Sequence, residues 1–352
     1  MTATSMVRSS TLALLSLVAI AAVGCATIKA QSTDEPDEVI RVETDITNLP
    51  FTATDKQKRF ITTLREEDIR IFEDNVPQQL FTFQRETDRP LALAFLIDVS
   101  QSEERTLPSE KAAARAFIET VIQSRKDQAA IIPFTGSAFL EQPLTRDVLG
   151  IYRALERVEP AVPAYLGVGR PISGIVTGPG TRREPREGST AIWDAIALTS
   201  SQVLAKDTAS GQSQRRRAII LLTDGQDTSS VLEIEQAIEQ ALAAETVIYA
   251  IGIGDKKYEG IDHGVLRSVA ERTGGRAFFP KKEVDLKQVF SEIERELRTQ
   301  YLIAYSSTNK KRDGAYRQMR IDVVNPDLKK SQLKLRHRPG YFAKRSATQE
   351  DR

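Results

Sequence analysis

Four short apolar runs constrain this chain more than any other feature of it. They are "LALAFLID" at 91–98, "AAIIPF" at 129–134, "AIILLT" at 218–223 and "TVIYAIG" at 246–252. A strand with one wet face alternates apolar and polar residues, whereas a strand apolar at nearly every position is buried on both faces. Such strands occur in parallel sheets covered by helices on either side. The intervening segments supply those helices. Ser109 can cap one that places Ala113, Phe117 and Val121 at spacings of four, and Val231 to Ala244 reads as a second. A third carries Leu286, Val289, Phe290, Ile293 and Leu297 on one stripe, with Asp285 and Gln288 as a capping box. The alternation predicts an α/β fold over residues 89–298, a doubly wound, mainly parallel sheet with helices on both faces.

On either side the period changes to two. Ile40, Val42, Thr44 and Ile46 alternate with polar residues, and "DIRIFED" and "QQLFTFQ" follow around an Asp74-Asn75 turn. Beyond Thr299, "YLIAYSS", "RQMRIDVV" and "QLKLRHR" repeat the pattern. The expected N-terminal (39–88) and C-terminal (299–343) β-rich segments are each small for an independent domain. Together they supply about six strands, enough to pack on each other or on the α/β domain.

The first 24 residues hold one positive charge at Arg8, an apolar run from Leu12 to Val23, and Gly24. This is too short and too weakly flanked for a membrane span and reads as a signal peptide. Cys25 is the only cysteine. "AVGC" resembles a bacterial lipobox, which would lipidate Cys25 and tether an exported protein to the envelope; cleavage after Ala30 would instead give a periplasmic or secreted one. Residues 25–38, acidic and polar, read as a disordered tether, and 344–352 as a free tail. With 28% charged residues and a net charge of +1, no nucleic-acid partner is indicated. Arg215, Arg216 and Arg217 read as part of a solvated loop.

In open α/β sheets, ligands bind at the carboxyl ends of the strands. Asp98 ends the first apolar run, with Ser100 and Ser102 at alternate positions, and Asp224 ends the third. "EGSTAIWDAI" brings Thr190 into a helix start. If Asp98, Ser100, Ser102, Thr190 and Asp224 converge, they form an oxygen-only cluster with two full negative charges, suited to a hard divalent cation that keeps some waters. Mg²⁺ fits, with Mn²⁺ or Ca²⁺ as alternatives. Its incomplete shell would accept a carboxylate from a partner protein.

These residues resemble the von Willebrand factor type A (VWA) domain with its metal-ion-dependent adhesion site. Its Asp-x-Ser-x-Ser motif matches Asp98, Ser100 and Ser102, its threonine Thr190, and its second aspartate Asp224. The resemblance covers roughly residues 91–298, including "TDG" and the "TGG" at 273–275. It implies that the serines and threonine bind metal directly and that the aspartates often act through water. The flanking segments resemble those of bacterial VWFA-related proteins, mostly from Acidobacteria. Residues 160–187, rich in Pro, Gly and charge, depart from the pattern as an insertion before Thr190, either disordered or a contact loop beside the metal.

Three other functions compete. A hydrolase using Ser100 or Ser102 needs a base, and the two histidines, His263 and His337, have no recognisable triad context. Nucleotide binding lacks a complete glycine-rich phosphate motif. A structural or assembly-scaffold protein could keep the metal only for stability. The expectation is an exported, non-enzymatic, Mg²⁺-dependent protein-binding module.

Overall fold

The structure, a computed structural model, describes residues 45–86, 89–100, 103–123, 125–160, 170–171, 189–206, 215–253, 260–281 and 283–346. The expected signal peptide, Cys25, the tether, Ser102 and all but three positions of 160–187 lie outside these residues. The N-terminal flank gives β1 (Ile46–Thr54), β2 (Ile69–Glu73) and β3 (Leu80–Glu86). The central region runs β4 (Leu91–Asp98), α1 (Leu107–Val121), β5 (Gln128–Phe134), β6 (Gln142–Thr145), α2 (Val148–Arg157) and α3 (Ile192–Leu198). It continues with β7 (Arg216–Thr223), α4 (Ile234–Ala243), β8 (Thr246–Gly252), α5 (His263–Arg272), β9 (Ala277–Phe278) and α6 (Glu283–Arg298). The C-terminal flank gives β10 (Gln300–Ser306), β11 (Tyr316–Val323), β12 (Lys334–Arg336) and β13 (Gly340–Phe342).

The central sheet has the order β9-β8-β7-β4-β5-β6, parallel throughout except for the β6 edge. Every residue of β4, β7 and β8 is buried. Leu91, Leu93, Phe95 and Ile97 face α1, α2 and α6, while Ala92, Ala94 and Leu96 face α3, α4 and α5. The apolar runs are therefore the inner layer of a three-layer α/β fold. The "TGG" turn is fixed by space: a Cβ on Gly275 would lie 2.0 Å from the Ile248 carbonyl oxygen, and Gly274 has φ +91°.

The flanks interleave. One antiparallel sheet has the order β12-β1-β10-β3, so strands from the two flanks alternate within it. The other is β13-β11-β2, extended by Val76–Pro77. Leu49, Phe51, Ile71, Tyr301, Ile303 and Tyr305 share one core. Within it, buried Glu73 accepts hydrogen bonds from Tyr305 (2.8 Å), Tyr341 (3.0 Å) and Ser307. Only Thr299 separates α6 from β10. Lys344 and Arg345, expected in a free tail, are engaged with Asp45 (2.8 Å) and in a bridge to Asp313.

Local starts differ from the sequence reading. The first helix begins at Leu107 rather than Ser109, because Pro108 fits a first turn that needs no N–H there. The fourth begins at Ile234, with Glu233 and Gln236 forming the capping box. The last begins at Glu283, and Asp285 accepts from the Lys281 N–H from inside the first turn.

The largest difference concerns Arg215, Arg216 and Arg217, which are not solvated but 6%, 5% and 7% exposed. Arg216 and Arg217 open β7, and the flanking sheet covers the amino ends of the parallel strands. Their guanidinium groups reach backbone carbonyls there: Arg216 that of Leu297, Arg217 that of Ala244 at 2.7 Å, and Arg215 that of Lys126 at 3.4 Å. Among the described residues no helix is long and apolar enough to cross a membrane.

Candidate metal centre

Each residue of the candidate site that is described lies at the carboxyl edge of the central sheet. Asp98 ends β4 and is fully buried. Its Oδ1 accepts the Ser100 N–H at 3.0 Å and its Oδ2 accepts the Thr223 hydroxyl, from the end of β7, at 2.6 Å. Asp224 follows, 9% exposed, and its Oδ1 accepts the Gln226 N–H at 2.9 Å. Ser100 is 1% exposed and Thr190 4%.

Thr190 reaches this edge through its backbone. Its N–H donates to the Thr228 hydroxyl at 2.8 Å, and its carbonyl accepts from the N–H groups of Thr228 (2.9 Å) and Ser229 (3.0 Å). The next residue, Ala191, donates to the Thr135 carbonyl just beyond β5 at 2.7 Å. Asp227 Oδ1 accepts from Ile192 N–H (2.7 Å) and Ser230 Oγ from Trp193 N–H (3.0 Å), meeting donors that a helix start leaves unpaired. Asp194 reciprocates by accepting from Val231 (3.0 Å) and Leu232 (2.9 Å). The loop after β7 and the start of α3 are thus laced together.

The electrostatics is one-sided. Burial raises the Asp98 carboxyl to about 6, against the opposing hydrogen bonds from Ser100 and Thr223, and the Asp224 charge adds to the rise. Two further glutamates stand behind it. Glu103 is fully buried and Glu110 is 1% exposed. Burial raises both carboxyls, with the Glu110 charge adding to the rise at Glu103 and the charges of Asp98 and Asp224 to both. Glu103 Oε2 accepts the Thr106 hydroxyl at 2.5 Å, and Glu110 is opposed in its rise by Thr106 and Glu103, the second carboxyl of the pair. Among the described residues, the main groups acting on these three carboxyls are hydroxyls, the Ser100 N–H, one another and Asp224.

Buried carboxylates with no opposite charge are costly, and a cation at their edge removes that cost. Among the described residues no three His, Cys, Asp or Glu side chains converge to hold an ion. A metal at this edge would draw on hydroxyls and water besides Asp98 and Asp224, a set of hard oxygen donors. Thr223, Thr228, Ser230, Asp194, Asp227, Glu103 and Glu110 were not found by sequence reasoning. "TDGQDTSS" signalled the loop residues by its density of hydroxyls and carboxylates. Glu110 was signalled only by its place on the buried stripe of Ala113, Phe117 and Val121.

The described site residues thus lie at the carboxyl edge of an open α/β sheet, where such sheets take their ligands. Two models of the von Willebrand factor type A domain match the sequence, over residues 93–226 and 181–292. The chain is a VWA-domain protein. No curated protein matches it. Among solved structures it is similar to proximal thread matrix protein 1 of the mussel byssus, with 18% identity over 64% of this chain and 51% of that one, TM-score 0.46. One structure of that mussel protein has a zinc-occupied MIDAS motif. It is also similar to a von Willebrand factor type A protein from Catenulispora acidiphila, with 14% identity, 80% and 77% coverage and TM-score 0.44. BatB from Bacteroides thetaiotaomicron has 19% identity, 58% and 98% coverage and TM-score 0.40. The chain spans about half the length of the mussel protein.

Proposed function

We propose that this chain is a Mg²⁺-dependent protein-interaction module, exported and held to the envelope through Cys25, which captures an acidic group of a partner protein. The observation that carries the metal reading is the pair Asp98 and Asp224, buried at the ends of neighbouring strands among hydroxyls, with further buried carboxylates behind them. Ser100, Thr190 and, from its spacing, Ser102 would hold the ion, with Mn²⁺ or Ca²⁺ as alternatives to Mg²⁺. The ion would supply the positive charge to which a carboxylate of the partner binds.

Binding without covalent chemistry is the better reading of the side chains present. The His263 ring packs edge-on against Phe279 at 4.2 Å, and His337 Nδ1 contacts the Arg338 carbonyl at 2.7 Å in the flank. Neither arrangement resembles a base poised on a serine.

The test is retention of envelope proteins on immobilised full chain, with Mg²⁺ and with chelator. A protein retained only with Mg²⁺, and lost on Asp98→Ala, is expected. Identical retention with chelator would leave the metal a merely stabilising role. Mass spectrometry of the mature terminus tests the anchor: an acylated Cys25 is expected, and a terminus at Gln31 would show a secreted protein.

A further inference from the structure

The amino ends of the parallel strands carry a feature that the metal site does not use. Where the flanking sheet meets β7 and β8 there is a small cavity, about 40 Å³, lined by six arginines: Arg89, Arg215, Arg216, Arg217, Arg336 and Arg338. Among the described residues, the carboxylates in its wall are Glu245, which is exposed, and Glu296, which is 3% exposed, lies 4.0 Å from Arg336 and has its own ionisation opposed by burial. Glu86, nearby, is shared between Arg89 and Arg216, at 3.1 Å from each. Among the described residues of this wall, arginines outnumber carboxylates.

Two of these guanidinium groups are incompletely paired. Arg216, 5% exposed, bonds the Leu297 carbonyl and Glu86, yet its Nε–H has no acceptor. Arg338, 7% exposed, donates one Nη2 bond to the Asn48 carbonyl at 2.8 Å, and its Nε–H has none. Burial opposes the charged form of both. A guanidinium stays protonated in proteins, so a buried excess of this kind calls for an anion rather than for loss of a proton.

We propose that this cavity binds one small inorganic anion of chloride size, which accepts from Arg216 Nε and Arg338 Nε. The volume admits it: a water needs roughly 10–15 Å³ on a comparable measure, so about 40 Å³ holds a halide and one or two waters. A water beside the ion serves Gln300, whose buried Oε1 lacks a donor. Arg216 lies on β7 of the α/β domain and Arg338 follows β12 of the flank, so the anion fastens one to the other.

Thermal unfolding of the full chain in sodium chloride and in sodium gluconate, at equal ionic strength, tests this. Gluconate is too large for the cavity. The midpoint is expected to rise saturably with chloride over gluconate, and the rise to vanish in Arg338→Gln. Should that variant fail to fold, crystals of the unaltered protein soaked in bromide decide: one anomalous peak between Arg216 and Arg338 is expected. Equal midpoints in the two salts, a chloride effect that persists in folded Arg338→Gln, or density for waters only in the bromide crystal would overturn the proposal.

Discussion

The two ends of the central sheet treat buried carboxylates in opposite ways. At the amino end, outside the arginine-lined cavity, a buried carboxylate meets a cation of the chain. Asp127, fully buried, accepts the N–H groups of Leu91 (2.8 Å) and Gln123 (2.9 Å) and is paired with Arg298 at the end of α6. Arg298 also bonds the Val121 carbonyl at 2.7 Å. At the carboxyl end, Asp98, Glu103 and Glu110 are also buried, and among the described residues hydroxyls and a backbone N–H answer Asp98 and a hydroxyl answers Glu103. One end is a clamp holding β4, α1 and α6 together. The other is left electrostatically incomplete, which is the condition for taking up an ion.

The clamp should give the largest effect when broken. Asp127→Ala takes the carboxylate from Arg298, whose side chain is 16% exposed, and the acceptor from two N–H groups, and should cost about 3 kcal/mol of stability. Urea unfolding measures this, and a loss below about 1 kcal/mol would mean that the clamp is incidental to stability. The direct continuation of α6 into β10, held between β1 and β3, and its Arg298 anchor tie this helix to both the central sheet and the flank.

The incomplete end should respond next, and with an unusual sign. Because the folded state raises Asp98 from 3.8 to about 6, folded protein without metal binds that proton more tightly than unfolded chain does. Its stabilising contribution is full below about pH 4 and is lost as pH rises through about 6, and the upward shifts of Glu103 and Glu110 act in the same direction. Metal-free protein should therefore be more stable at pH 5 than at pH 8, by about 1.4 kcal/mol from Asp98 alone. Saturating Mg²⁺ should flatten or reverse that trend, because metal and proton compete for the same oxygens. Calorimetric scans across this range check it, and a metal-free form that loses stability steadily below pH 8 would contradict it.

The smallest effect is expected from Glu110→Gln. This removes a buried charge that faces other carboxylates while keeping the shape, and should stabilise the metal-free form at pH 8 by about 1–2 kcal/mol. The same change at exposed Glu119, on the same helix, should do nothing measurable.

The same contrast explains what the sequence made legible. Parallel strands buried on both faces write themselves as unbroken apolar runs, so the central sheet could be read directly. The candidate ion residues could be read too, because Asp98 and Asp224 stand where those runs end. What could not be read depends on distant partners. Arg215 to Arg217 look like a solvated cluster until the flanking sheet covers them, and that sheet is built from strands some 250 residues apart, as in the pairing of Ile46 with Ser306. Interleaving of this kind leaves no local pattern. Glu110 is legible only as a charge at an apolar stripe position, a signal whose meaning waits on the neighbouring carboxylates.

The central claim, that the carboxyl end is completed by a divalent cation at Asp98, is tested most directly by titration calorimetry of Mg²⁺ and Mn²⁺ into metal-free full chain and its Asp98→Asn variant. The account predicts saturable binding to the unaltered protein, affinity at least about tenfold weaker in the variant, and no loss of stability in the metal-free variant, since one buried charge is gone. Equal affinity in the two proteins, with both folded, would contradict it.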